Sequence, residues 1–168
     1  MDDLELRAAI YRWILNTGSV PLRADLATLV DSSGSLDEQL RRLHDGHMIV
    51  LDDRPDRLGE IRMALPFSAE PTGFHAESQR GSWFANSAWD ALAIAAALHE
   101  DTHINATWTD TAEPLQFSIV GGEIVGGEIV GGEIVGGEID SATQPPVADG
   151  FVHFAIPARH WWDDIVET

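Results

Sequence analysis

The first part of the chain carries apolar residues at helical spacing, followed by two short apolar runs between polar turns. The helical spacing predicts three helices, over residues 4–16, 23–31 and 35–46. The two apolar runs predict strands that would pair as a hairpin, over residues 47–53 and 59–65. Three short helices followed by a hairpin are typical of a winged helix, so we predict a winged-helix-like module over residues 1–65.

The rest of the chain, residues 66–168, combines strand patterns with one apolar helix. The strand patterns fall at residues 71–77, 104–108, 114–120 and 151–157, with a turn at residues 79–82. Residues 81–98 run from aromatic and small residues into an alanine-rich helix, and a short helix is expected over residues 158–167. We therefore predict an α+β fold, in which the N-terminal module precedes a mixed or antiparallel sheet domain with a central helix.

Two polar residues that could take part in a reaction lie in the central helix. Ser87 and Asp90 are three apart, so a helix places them on one face, near an N-terminal end whose unpaired N–H groups carry partial positive charge. Asp90 has apolar neighbours, and it is either a general acid with a raised pKa or a helix-start residue that binds backbone N–H groups. For Ser87 a helix cap is favoured over a nucleophile, because the sequence around it contains no G-x-S-x-G elbow.

A tandem repeat, four copies of IVGGE, fills residues 119–138. Paired glycines favour tight turns, and the three residues between them suffice for a very short strand, so a ribbon of minimal hairpins is one interpretation. The interpretation that we favour is duplication of a single turn at a tolerant loop tip. A third is pairing with the same ribbon of another chain, which would form a homodimer.

Charge and composition narrow the classes of function. The formal net charge of −18 opposes general binding to nucleic acid, and the third helix sets Arg41 and Arg42 among acidic residues. We therefore favour a winged-helix-shaped cap that packs on the next domain over a DNA-binding module.

No apolar run is long enough for a membrane helix and the start lacks signal-peptide features, which predicts a cytoplasmic protein. With no cysteine and no zinc-site spacing among the histidines, neither a metal nor another cofactor is expected.

Three segments are informative together: ANSAWDAL in the central stretch, ATWTDTAEPLQFSI after it, and a VHF strand followed by a tryptophan-containing helix. They resemble the alkylmercury (organomercurial) lyase family, and the resemblance covers nearly the whole chain apart from the repeat. The family motif A-x-C-A-x-D corresponds to residues 85–90. The resemblance thus places Asp90 at the family's aspartate and Ser87 at its nucleophilic cysteine. The family's second cysteine, a few residues before the V-H-F strand, corresponds most nearly to Asp149.

The resemblance implies protonolysis of a carbon–mercury bond, in which two thiolates grip the soft metal and the aspartate delivers a proton to the leaving carbon. Soft metals demand thiolates, whereas the hydroxyl and carboxylates of this chain are hard oxygen ligands, so we expect no normal carbon–mercury cleavage. The implied site is an oxygen-lined pocket. Its catalytic residues would be Ser87, Asp90 and Asp149, with substrate contacts from Trp83, Trp89, His153 and Phe154.

Such a pocket has several interpretations. The one that we favour is acid–base chemistry on a small organic molecule with Asp90 as the proton donor, because a carboxylate in an apolar stretch is costly without a use. The alternatives are a non-catalytic small-molecule-binding or regulatory protein that uses the winged-helix module for a partner, an assembly role through the repeat, and binding of a hard cation. For His153, which lies in an aromatic strand, a structural role is the simpler interpretation.

Overall fold

Four helices and eight strands make up the part of the protein that a computed structural model describes, namely residues 1–30, 33–108, 111–129, 160–163 and 165. The helices are α1 (Asp3–Thr17), α2 (Arg23–Ala27), α3 (Ser33–Asp45) and α4 (Ala88–Leu98). The strands are β1 (Val50–Leu51), β2 (Ile61–Ala64), β3 (Phe67–Ser68), β4 (His75–Ser78), β5 (Gly81–Phe84), β6 (Thr102–Thr107), β7 (Pro114–Val120) and β8 (Glu123–Ile129). The predicted α+β class is confirmed.

Helix α1 is fixed at both ends by its local sequence. The side chain of Asp2 accepts the N–H of Glu5, and the side chain of Glu5 accepts the N–H of Asp2, each at 2.8 Å. This reciprocal capping box satisfies donors that the first turn leaves unpaired. Gly18 ends the helix at a φ of 76°, a left-handed conformation that glycine adopts without steric cost. The helix buries Leu6, Ile10 and Ile14, which recur at helical spacing.

The next two helices differ from the prediction in their bounds. Helix α2 ends at Ala27, short of the predicted end at residue 31, because both the N–H and the hydroxyl of Thr28 bond to the carbonyl of Asp25. This tighter turn stops the regular helical ladder. Helix α3 begins at Ser33 and ends at Asp45, close to the predicted span of 35–46, and residues 31–32 lie outside the described part.

A small antiparallel sheet, in the order β1-β2-β3, follows the three helices. Strands β1 and β2 form the predicted hairpin, although both are shorter than expected. Strand β3 was not predicted. It pairs back on β2 with Phe67 opposite Ala64, and two residues are too few to show a period of their own. Helices followed by a hairpin agree with the predicted order of elements, while the winged-helix assignment stays a prediction.

The larger sheet is antiparallel, in the order β5-β4-β6-β7-β8. The turn predicted at residues 79–82 is wrong in its second half, because β5 already begins at Gly81, directly opposite Ser78 of β4. The Ser78 hydroxyl accepts the N–H of Arg80 at 3.1 Å and tightens this short connection. Glycine and serine at residues 81–82 look like turn residues in the sequence, but their pairing with β4 draws them into the sheet.

One face of the larger sheet forms the core beneath α4. Neighbouring strands align Trp83, Ala76, Ile104 and Phe117 in one row. The first three of these side chains are buried, and Phe117 is partly buried against the same cluster. Helix α4 buries the residues of one face in this core, namely Ala91, Ile94, Ala95 and Leu98.

The N-terminal helices share this core. The indole N–H of Trp83 donates to the carbonyl of Ile14 in α1 at 2.9 Å, and Tyr11 of the same helix donates to the carbonyl of Leu65 at 2.7 Å. The ring of Phe67 contacts both aromatic rings, each at a centroid distance of 6.2 Å. The helices therefore pack on the sheet, and a domain boundary between residues 65 and 66 stays a prediction.

The first two copies of the repeat form one hairpin. Strand β7 ends at Val120, Gly121 and Gly122 form the turn, and β8 continues through the second glycine pair. The interpretation of the repeat as a ribbon of minimal hairpins, which we did not favour, is therefore wrong for these copies. Later copies and the strand predicted at residues 151–157 lie outside the described residues, and residues 160–163 form a single turn within the predicted last helix. Among the described residues, no helix combines the length and apolar character that a membrane crossing needs.

Candidate active site

The candidate site lies where β5 passes into α4. Two hydrogen bonds hold the backbone of Ala85. Its N–H donates to the carbonyl of Phe74 at 2.9 Å, and its carbonyl accepts the hydroxyl of Thr72 at 2.5 Å. The hydroxyl oxygen of Thr72 also accepts the N–H of Phe74 at 3.2 Å. The sheet and the preceding loop therefore fix the start of the segment that carries Asn86, Ser87 and Asp90.

Ser87 is the N-cap of α4. Its backbone is extended, with φ −150° and ψ 174°, and its hydroxyl oxygen accepts the N–H of Asp90 at 3.2 Å. The cap role that the sequence favoured for Ser87 is confirmed, and so is the placement of both side chains on one side of the helix start. The same hydroxyl donates to Oδ2 of Asp90 at 2.9 Å. The two residues thus form one hydrogen-bonded pair in the first turn.

Burial sets the electrostatics of this pair. Asp90 is half-buried, and this loss of hydration raises the pKa of its carboxyl group, while the hydrogen bond from Ser87 lowers that pKa to a smaller extent. A helix N-terminus favours the ionised carboxylate, yet the pKa still lies above its usual value because desolvation outweighs the stabilising contacts. Asp90 therefore holds its proton to a higher pH than an exposed aspartate does.

Asn86 is a residue of the site that sequence analysis missed. Its amide nitrogen donates to the carbonyl of Pro66 at 3.1 Å, which fixes the orientation of the side chain. Its Oδ1 atom is shielded from solvent and has no hydrogen-bond partner among the described residues. An unpaired buried acceptor costs about 1–3 kcal/mol, so this oxygen is a candidate acceptor for a donor on a ligand. Its position directly before the N-cap was the only signal in the sequence.

The structure describes two of the other predicted site residues and leaves three outside its described part. Trp83 is 1% exposed, lies in the core and uses its indole N–H on Ile14. Trp89 follows Ser87 by two residues and is 53% exposed. Asp149, His153 and Phe154 lie outside the described residues. Only Ser87 and Asp90 are brought together by a described contact, and the roles predicted for the remaining residues stay predictions.

The described residues offer no resident metal centre beside this pair. Across the described ranges, no group of three or more histidine, aspartate and glutamate side chains is arranged to hold an ion. A shallow depression of about 400 Å³ lies near the other end of α4, and its lining includes Glu77, Asp101 and His103. Since α4 separates that depression from Ser87 and Asp90 along its length, we do not assign it to the site.

Comparison with known proteins bears on this segment directly. A family model described as alkylmercury lyase matches residues 67–168, which is more than half of the chain. The match begins at β3 and includes α4, so both Ser87 and Asp90 fall inside it.

A solved structure supports the fold. The crystal structure of the mercury-bound form of MerB2 is similar to this chain with a TM-score of 0.55 and 21% sequence identity over 73% of the chain. The chain spans 59% of the length of that structure. Among curated proteins, none matches the sequence significantly. At this level of identity, the structural likeness establishes a shared fold.

Proposed function

The chain belongs to the alkylmercury lyase family, and from that premise we propose that it uses Asp90 as a general acid on a small organic molecule. The observation that carries the proposal is the setting of Asp90. Burial raises the pKa of its carboxyl group, and the hydroxyl of Ser87 lies 2.9 Å from its Oδ2 atom. A carboxylic acid with a raised pKa holds its proton over a wider range of pH and can deliver it to a substrate.

In the proposed step, protonated Asp90 gives its proton to the substrate atom from which a bond breaks. The new bond to hydrogen takes the electron pair of the broken bond, water adds to the electron-deficient atom on the other side of that bond and releases a proton to solvent, and Asp90 is left as a carboxylate. The hydroxyl of Ser87 stabilises that carboxylate by donating to Oδ2. Solvent then returns the proton, and the unpaired Oδ1 of Asn86 would accept an N–H or O–H of the substrate. Asp149 is the remaining proposed member of the catalytic set.

We further propose that carbon–mercury cleavage is not the reaction of this chain. The resemblance to the family assigns its nucleophilic cysteine to the position of Ser87, and the sequence contains no cysteine. A serine hydroxyl is a hard ligand and binds a soft metal ion poorly. The mercury bound in the similar MerB2 structure is a property of that protein and is not carried over to this chain. The lyase-like proton donor would therefore act on a substrate that does not have to be coordinated by thiolates.

Replacement of the proton donor tests the first part of the proposal. A suitable probe is an aryl vinyl ether, whose hydrolysis begins with proton transfer to carbon and releases a phenol that absorbs light. Asp90→Asn keeps the shape of the side chain but removes the acid, so we expect the rate to fall about 10²–10⁴-fold.

The matched control is Asp25→Asn. Asp25 holds the same position in the first turn of α2 and accepts the N–H of Leu22 at 2.9 Å. This variant should keep the wild-type rate. Equal rates for wild type and Asp90→Asn would show that Asp90 is not the acid.

An assay with a phenylmercury salt and excess small-molecule thiol tests the second part. We expect no release of benzene and Hg²⁺ above the rate without protein, because no thiolate is present in the chain to hold the metal. Gas chromatography measures the benzene directly. Release that depends on the wild-type protein and disappears in Asp90→Asn would overturn this part of the proposal and keep the acid role of Asp90.

Ligand binding without catalysis is the second candidate, and the unpaired Oδ1 atom of Asn86 favours it. A helix start requires an acceptor for its free N–H groups, and Ser87 supplies one, so the pair has a structural use without chemistry. A role of the N-terminal module in DNA binding is disfavoured because Arg42 of α3 is engaged with Asp3 through two hydrogen bonds of 2.8 Å. Failure of the wild type to hydrolyse the vinyl ether would favour this second candidate.

A further inference from the structure

The glycine pair in the first copy of the repeat forms a hairpin turn. Gly121 and Gly122 have φ angles of 61° and 88°. Two successive positive φ angles are the requirement of a type I′ turn, which matches the twist of the strands it joins. The N–H of Gly121 also donates to Oδ1 of Asp101 at 3.0 Å. Across this turn, Ile119 lies opposite Ile124 and Ser118 lies opposite Val125.

The glycine pair in the second copy has another role. Beyond Val125 the pairing resumes with Gln116 opposite Glu128 and Leu115 opposite Ile129. One residue of β7, Phe117, therefore stands against two residues of β8, Gly126 and Gly127. Two residues against one is the definition of a β-bulge, and glycine inside a strand is typical of such a site.

The bulge solves a problem that the length of the repeat creates. Successive residues of a strand point to opposite faces, so a regular strand with a five-residue repeat would alternate the face of each equivalent position. The extra bulge residue reduces the step along β7 to four. Ile124 then lies opposite Ile119, and Ile129 lies opposite Leu115, four residues earlier in β7 on the same face as Ile119.

We propose that IVGGE is a unit that preserves strand phase, because its glycine pair serves as a turn in the first copy and as a bulge in the second. The hairpin can thus change in length by whole copies of the repeat, while Ile124 and Ile129 keep their register opposite apolar residues of β7. An ordinary strand sequence lacks this property, since an insertion of five residues would exchange its two faces.

Engineered disulfides test the proposed register in a chain that has no cysteine of its own. Residues that face each other in antiparallel strands have Cα atoms about 4.5–5.5 Å apart, within the range that a disulfide spans. The pair Leu115→Cys with Ile129→Cys reports the register beyond the bulge. The pair Ser118→Cys with Val125→Cys reports the register before it and serves as the control for folding. We expect both pairs to crosslink in the otherwise unchanged chain.

Changes in the number of residues at the bulge then separate the proposal from a ribbon without register. Deletion of Gly126 removes the extra residue and leaves a regular strand, so the crosslink between residues 115 and 129 should persist. Insertion of one alanine between Gly126 and Gly127 should abolish it. The control pair should crosslink in all three chains. In a chain without residues 124–128, Val130 replaces Val125, so Ser118→Cys should crosslink to Val130→Cys.

Three results would overturn the proposal. The first is absence of the crosslink between residues 115 and 129 in the unchanged chain while the control pair still forms. The second is loss of that crosslink on deletion of Gly126, because the regular strand would then fail to restore the phase. The third is an equal yield after the alanine insertion, because the strand would then have no fixed register. Loss of the control pair as well would contradict the turn at Gly121 and Gly122.

Discussion

Two aspartates of this protein are at least partly shielded from water, and the pKa values of their carboxyl groups are shifted in opposite directions. Asp52, which follows β1, is 3% exposed. Its Oδ1 atom accepts the backbone N–H of Arg54 at 3.0 Å and the guanidinium Nε at 2.9 Å. The hydrogen bonds with Arg54 outweigh the cost of burial and lower the pKa of Asp52 to about 2. The same guanidinium also binds Glu70 at 2.5 Å, which holds the hairpin of the N-terminal module to the loop after β3.

Asp90 is less buried but has a raised pKa. Burial raises its pKa, and the hydrogen bond from the neutral hydroxyl group of Ser87 lowers it to a smaller extent. A neutral donor compensates the loss of water less well than a guanidinium does. The difference separates two uses of a buried carboxylate. Asp52 is ionised at all ordinary pH values and binds Arg54, whereas Asp90 holds its proton to a higher pH than an exposed aspartate does, as its proposed role requires.

The largest effect that we expect from this difference concerns stability. Asp52→Asn replaces a charged, buried acceptor with a neutral amide and leaves the partly exposed guanidinium of Arg54 with weaker hydrogen bonds. A hydrogen bond to a charged group contributes about 1.5–3 kcal/mol, so we expect a loss of about 2 kcal/mol in the free energy of unfolding. Urea unfolding at pH 7 measures it.

The matched variant for this comparison is Asp90→Asn, in which no ion pair with a described residue is lost. We expect its free energy of unfolding to stay within about 0.5 kcal/mol of wild type, as for most substitutions that break no such network. A greater loss for Asp90→Asn than for Asp52→Asn would reverse the assignment of structural and chemical roles.

Local signals explain which elements the sequence predicts well. The apolar spacing of α1 and the glycine that ends it are local features, so the sequence alone predicts a helix over residues 4–16. Strands β3 and β5 have two and four residues, and each exists because a neighbouring strand pairs with it. Such pairing joins positions by tertiary contact, and the local sequence shows no trace of it.

In the candidate site, too, the sequence predicts the local features but not the contacts between residues distant in the chain. The spacing of Ser87 and Asp90 and the cap preference of serine are local, and both are confirmed. The unpaired oxygen of Asn86 depends on the carbonyl of Pro66, which lies twenty residues earlier in the chain. The opposite acidities of Asp52 and Asp90 likewise depend on burial by residues distant in sequence. Sequence can therefore name the carboxylates but cannot rank their pKa values.

A smaller effect is expected at the cap. Ser87→Ala removes the acceptor for the N–H of Asp90 and the donor to its carboxylate. Loss of an N-cap costs about 1 kcal/mol. The pKa of Asp90 should rise further, because the one described contact that lowers it is removed. Carbon-13 NMR titration of the aspartate carboxyl groups measures the pKa.

A second cap separates the two consequences of Ser87→Ala. Asp2→Ala removes the N-cap of α1, where the side chain of Asp2 accepts the N–H of Glu5 at 2.8 Å. This control should lose a similar free energy of unfolding and leave the titration of Asp90 unchanged. An unchanged titration in Ser87→Ala as well would show that the Ser87 hydroxyl does not influence Asp90.

The smallest effect is the dependence of stability on pH, in which the two aspartates should differ in sign. For Asp52 the folded pKa is about 2 and the unfolded value is 3.8, so its contribution is present above pH 3.8 and is lost as the pH falls towards 2. For Asp90 the folded pKa lies above 3.8, so its contribution is present below pH 3.8 and is lost as the pH rises through the folded pKa. Unfolding free energies of wild type, Asp52→Asn and Asp90→Asn between pH 2 and pH 7 give each contribution as a difference from wild type. Two differences that change in the same direction with pH would show that both carboxylates are held as ions, and Asp90 would then lack the proton that its proposed role requires.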